Sequence, residues 1–134
     1  MADRFAKMQQ DAEKEVAELK KLETDMAKSL EAKRSCMENL HENEIAMAEF
    51  ELLEDDANVF KMIGPVLVKQ DLAEAKETVK GRLDYVKAEI ARKDKHEEDL
   101  QSKIQKKTEA LVKRQQEMQQ LYSKMTGAAA LAAK

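Results

Sequence analysis

Few residues in this sequence have the types and spacing that covalent chemistry requires. The two histidines, His41 and His96, stand singly. His41-Glu42 begins like a zinc-hydrolase helix, which needs a second histidine four residues on so that both imidazoles share one face; Ile45 occupies that place. The single cysteine, Cys36, has no partner for an internal disulfide, which excludes a stapled secreted scaffold. It falls on an apolar repeat, where it reads as a small buried hydrophobe rather than a nucleophile or ligand. Gly64, Gly81 and Gly127 are too scattered to make a phosphate-cradling loop. The 27 Asp and Glu residues read as solvated helix faces. The sequence therefore predicts no catalytic residue, no metal site and no cofactor. It predicts a protein that works by binding.

The side chains able to do that work are apolar, and they fall into two kinds of place. Seven crowd into one stretch: Val59, Phe60, Met62, Ile63, Val66, Leu67 and Val68. The others are strung out at helical spacing. Ala, Glu, Lys, Leu and Arg supply 74 of the 134 residues, the composition of long helices and coiled coils. Aromatic residues are only 4% and charged residues 38%, too little material for an ordinary compact core.

Apolar residues recur at alternating spacings of three and four on both sides of Gly64-Pro65. The first seam reads Phe5, Met8, Ala12, Glu15, Leu19, Leu22, Met26, Ser29, Lys33, Cys36, Leu40, Asn43, Met47, Phe50. The second reads Leu72, Lys76, Val79, Leu83, Val86, Ile90, Lys93, Glu97, Leu100, Ile104, Lys107, Leu111, Arg114, Met118, Leu121, Met125. A repeat averaging 3.5 residues over many heptads predicts left-handed coiled-coil packing. The polar seam members weaken such a coil. Such residues can fix register or partner, but for the Lys and Arg among them the plainer account is that their heads turn outward along apolar stems.

Residues 1–57 carry 8 basic and 16 acidic side chains, and residues 58–134 carry 16 basic and 11 acidic ones. Arms of opposite charge favour a chain folded back on itself, although both could simply be solvated faces. The expected elements are a helix over 1–54, a β-hairpin over 58–70, a helix over 71–126 and a small-residue tail over 127–134. Within the hairpin, strands at Val59–Ile63 and Val66–Lys69 flank the Gly64-Pro65 turn. Glu54-Asp55-Asp56 and Asn58 end the first helix. Asp71, with Glu74 three residues later, has the pattern of a capping box that starts the second.

A lone two-stranded hairpin is marginal in water, and both its edges leave backbone groups unpaired. Strand pairing with other subunits would supply the missing core, so oligomerisation is expected.

The segment Asn58-Val59-Phe60-Lys61-Met62-Ile63-Gly64-Pro65-Val66-Leu67-Val68-Lys69-Gln70 closely resembles the beta class of prefoldin subunits. The run Arg82-Leu83-Asp84-Tyr85-Val86 ahead of Ala88-Glu89-Ile90 is similar to the same class, and the resemblance spans residues 5–125. It implies a mostly α fold, an antiparallel two-helix coiled coil whose short central β-hairpin joins an intersubunit β-barrel. The whole chain, residues 1–134, would be one such domain. It implies a hexamer of two alpha-type and four beta-type subunits, in which the seven apolar residues of the hairpin are assembly residues. It also implies ATP-independent capture of unfolded proteins, notably actin and tubulin, and their delivery to the cytosolic group II chaperonin.

Client binding is expected at the free ends of the arms, at Phe5, Met8, Met118, Leu121, Tyr122 and Met125, where coil ends fray and adaptable Met is frequent. Met1 would belong to the same end. The plainer alternative is that these residues close the coil. A structural or adaptor coiled coil without clients is the competing reading of the whole chain.

Cytoplasm is the expected location. Met1 to Gln10 has no apolar signal core, and no apolar run approaches membrane-spanning length. A net charge of −3 and a pI near 5.6 give no general attraction to nucleic acid or anionic membrane.

Overall fold

Uninterrupted helix formers give uninterrupted helices. A computed structural model of the chain describes residues 2–132, with side-chain surroundings through Gly127. Helix α1 spans Ala2–Leu52, strand β1 Val59–Ile63, strand β2 Val66–Gln70 and helix α2 Leu72–Ala132. The fold is an antiparallel two-helix coiled coil with a hairpin between its helices.

The ends of the elements have local causes. Carboxylates at Glu51, Glu54, Asp55 and Asp56 meet the negative pole of α1, and no basic residue lies in its last turn. The helix stops at Leu52, two residues before the expected boundary, and the Leu53 amide donates back to the Phe50 carbonyl at 3.2 Å. Asp71 takes the N-cap position of α2: its carbonyl accepts the Ala75 amide at 2.9 Å, and acidic Glu74 sits in the first turn.

At the other end, α2 continues past the expected stop at residue 126 and runs through Gly127 to Ala132. The alanines that follow are the strongest helix formers, and one glycine costs only about 1 kcal/mol against them. Residues 133 and 134 of the expected tail lie outside the described residues, as does Met1.

The hairpin is closed by two residues. Gly64 has φ of 60°, which places its turn among the mirror-image types. Type I′ needs a second positive φ at the next residue, which proline cannot adopt, so Gly64-Pro65 makes a type II′ turn. Its twist suits the antiparallel register that pairs Val59 with Gln70, Phe60 with Lys69, Lys61 with Val68, Met62 with Leu67 and Ile63 with Val66. Pairing with Val59 carries β2 one residue further than the expected Lys69.

The chain forms two compact units, one of residues 30–95 and one of residues 1–29 with 96–134. In the first, Val59, Leu72 and Ala75 form a buried cluster with Phe50 packed against it, and Val79 and Val86 are buried further along α2. In the second, Leu100, Leu111 and Leu121 are buried on α2. Every seam position named above is buried or half-buried, on both helices. Among the described residues, all the buried helical positions lie on α2, and α1 has none.

Candidate functional site

Alternation along the strands decides what the hairpin shows to its surroundings. Directly paired residues share a face. One face therefore carries Val59, Ile63, Val66 and Val68 with Lys61 and Gln70; the other carries Phe60, Met62 and Leu67 with Lys69. Both faces are apolar, as in a strand pair meant to be covered on both sides. Only Val59 is buried, at 9% exposure; the other six expected assembly residues are 44–71% exposed. Each strand also has one edge unpaired, because the sheet has two strands only among the described residues.

Full burial of a large apolar side chain yields about 1.5–3 kcal/mol, so six such residues left about half exposed represent roughly 5–10 kcal/mol that the chain alone does not realise. That exceeds the lower estimates of what two bodies lose in freedom on associating. Leu52, 86% exposed at the end of α1 and close to the hairpin in sequence, adds to the uncovered apolar surface. The composition of the hairpin segment does not reveal Leu52, because it sits on the helix side of the boundary.

The helix ends present a different surface. Phe5 and Tyr122 bring their rings to 6.1 Å between centroids at a tilt of 43°, within the range of a favourable aromatic pair. Phe5, Met8, Met118 and Met125 are half-buried, and Leu121 is buried at 8% exposure. Tyr122 alone of the six expected client-binding residues is exposed, at 57%.

Between these ends and Ser29, ion pairs interrupt the apolar seam. Arg114 makes a two-point contact with Glu15, Nη2 to Oε1 at 2.8 Å and Nε to Oε2 at 3.3 Å, and lies 3.5 Å from Asp11. Lys107 donates to the Glu18 carboxylate. The Lys107 hydrogen bond and charge hold the Glu18 carboxyl below its ordinary range, and the Glu15 carboxylate raises the Arg114 guanidinium. In the unit of residues 30–95, Lys33 pairs with Asp94 at 2.6 Å, and the seam amide of Asn43 donates to the Asn39 carbonyl of its own helix at 2.7 Å.

Outward-turned heads, the plainer account, do not describe Lys107, Arg114 and Lys33. These side chains reach the other helix instead. The signal was present: Asp11, Glu18 and Asp25 recur every seven residues beside the first seam, while Lys107 and Arg114 sit seven apart on the second. Among the described residues, no cluster of His, Cys, Asp and Glu is arranged to hold a metal ion, and no helix is long and apolar enough to cross a membrane.

Comparison with known proteins agrees with this arrangement. Residues 13–118 match the family model described as "Prefoldin subunit". Prefoldin subunit 6 of Arabidopsis thaliana is 43% identical over 112 residues, covering 84% of this chain and 87% of that protein. Prefoldin subunit 6 of Homo sapiens is 40% identical over 114 residues, covering 85% and 88%. The crystal structure of the prefoldin beta subunit from Thermococcus strain KS-1 superposes with a TM-score of 0.72 at 22% identity, covering 75% of this chain and 89% of that one, a likeness of fold. Two helices around a hairpin that is uncovered on both faces, a family model over most of the length and relatives at 40% identity or more lead to one conclusion: this chain belongs to the prefoldin subunit family.

Proposed function

We propose that the chain is a beta-type subunit of a hexameric, ATP-independent cytoplasmic chaperone, assembled with two alpha-type and further beta-type prefoldin subunits through its hairpin. In this reading the hairpin completes a β-barrel with neighbouring strands, and the helix ends hold unfolded polypeptides. Actin and tubulin chains are the expected clients, and the cytosolic group II chaperonin is the acceptor. The observation that carries the proposal is the exposure of Phe60, Met62, Ile63, Val66, Leu67 and Val68 on both faces of a two-stranded sheet. Strand addition at its free edges would satisfy the backbone and cover those side chains together. With no nucleotide involved, release would be driven by transfer of the client to the acceptor.

Holding at the helix ends is supported by the aromatic pair Phe5–Tyr122 and by the flexible, polarizable side chains of Met8, Met118 and Met125. Weak contacts on several arms of one assembly would add through effective concentration. A second reading, an adaptor coiled coil without clients, is favoured by one observation: Leu121 is buried in its own coil.

Native mass spectrometry of the tagged chain from its own cytosol tests assembly; five further small coiled-coil subunits are expected, and a homodimer would support the adaptor. Aggregation of a denatured client tests holding. Phe5→Ser with Tyr122→Ser should leave the assembly intact and weaken suppression of aggregation, whereas unchanged suppression would remove the helix ends from the site.

A further inference from the structure

We propose that the unit of residues 1–29 with 96–134 contains a second polypeptide-binding surface, a groove selective for acidic segments that also carry apolar side chains. The groove runs between α1 and α2 in that unit. Half-buried Leu22 and exposed Ala110 are the apolar residues of its lining, extended by the methylene stems of the lysines around them. Lys21, Lys103 and Lys106 stand on its rim, all three exposed.

Charge decides what can enter. Lys107 is committed to Glu18, and Glu15 to Arg114. Lys21, Lys103 and Lys106 form no ion pair among the described residues, and of the carboxylates lining the groove only Asp25 remains uncommitted. Three free ammonium groups against one carboxylate make this groove locally cationic in a chain whose net charge is −3. An incoming segment with alternating carboxylate and apolar side chains would satisfy the lysines and the apolar lining together.

Nucleic acid fits less well. Glu15, Glu18 and Asp25 lie in the same lining and would repel a continuous phosphate backbone, and no aromatic side chain lines the groove to stack on bases. The groove lies inward of the Phe5–Tyr122 end, so it would act on client segments beyond those held there. This inference rests on the proposed role in polypeptide capture and adds a preference among clients to it.

The test uses the full chain in its purified prefoldin assembly and a fluorescein-labelled peptide of glutamates and leucines. Matched peptides carry lysine or glutamine in place of glutamate. The acidic peptide should bind about tenfold more tightly than the lysine peptide at low salt, with the difference shrinking as salt is raised. Lys103→Glu with Lys106→Glu should invert the preference, and Lys103→Gln with Lys106→Gln should abolish it. Both positions are exposed, so folding is not at stake.

Equal binding of the acidic and basic peptides, an unchanged preference in the charge-reversed variant, or equally effective displacement by polyuridylate would each overturn the inference. Suppression of client aggregation is measured on the same samples. Its absence alongside selective peptide binding would remove the chaperone reading and leave the groove, whereas its persistence without selectivity would do the reverse.

Discussion

Val66, Leu67 and Val68 stand side by side on β2 and all three are exposed, whereas Leu100, Leu111 and Leu121 lie ten or eleven residues apart on α2 and all three are buried. Apolar density and burial therefore run in opposite directions in this molecule. A sparse apolar repeat is buried because a second helix offers a matching seam, and one stripe per helix is enough. A dense apolar strand pair is left uncovered because it has two faces and two edges, and the chain supplies cover for only the Val59 corner. The coil is a finished interface within one chain, whereas the hairpin is left uncovered and in the proposed assembly would be half of an interface.

The comparison can be broken most severely at the hairpin. Phe60→Asp with Leu67→Asp places one charge on each strand of the same sheet pair and should abolish incorporation into the assembly, read by native mass spectrometry. Helix content by circular dichroism should be unchanged, because neither residue contributes to the buried clusters. Retained incorporation would mean that the face of Phe60, Met62 and Leu67 is not the contact.

A change in the finished interface should do the opposite. Leu111→Ala removes a buried seam residue and should cost about 2 kcal/mol, the lower end for leucine truncation, because only one opposing helix surrounds the site. The variant should melt earlier and still assemble.

Gly81→Ala sharpens the contrast from the stabilising side. Nothing lies within 4 Å of the position a Cβ would take, so the gain in helix propensity should raise stability by about 1 kcal/mol in thermal unfolding of the isolated chain.

The smallest effect concerns the ion pairs. Glu18 has a folded pKa below its ordinary value of 4.5, so its contribution is complete above that value and is lost as pH falls through the lower folded one. Lys107→Met should therefore reduce the loss of melting temperature between neutral and strongly acidic buffer, and raising salt should do the same in the parent chain. An unaltered acid dependence would show that the pair carries no stability.

These regions were unequally legible in the sequence. The seams could be read because a 3.5-residue period is local information: Phe5, Leu22, Val86 and Leu121 each stand three or four residues from the next member, and all lie inward. The turn could be read from Gly64-Pro65, since a positive φ followed by a proline leaves few alternatives. The direction taken by Lys107 and Arg114 was harder to see, because their partners lie 89 and 99 residues away and depend on how the two helices align. Polar seam residues that look alike in sequence also meet different fates: Asn43 is satisfied by its own helix and Arg114 by the other. The exposed state of Leu52 was hidden because helix boundaries are set by a few weak terminal interactions.

Hydrogen exchange at the backbone amides of residues 59–70 tests most directly whether the hairpin is half of an interface. The measurement compares the isolated chain with the same chain in its prefoldin assembly. Outer-edge amides of β1 and β2 should exchange rapidly in the isolated chain and become strongly protected in the assembly, while amides around Leu100 and Leu111 change little. Strong protection of residues 59–70 in an isolated, monomeric chain would contradict the account.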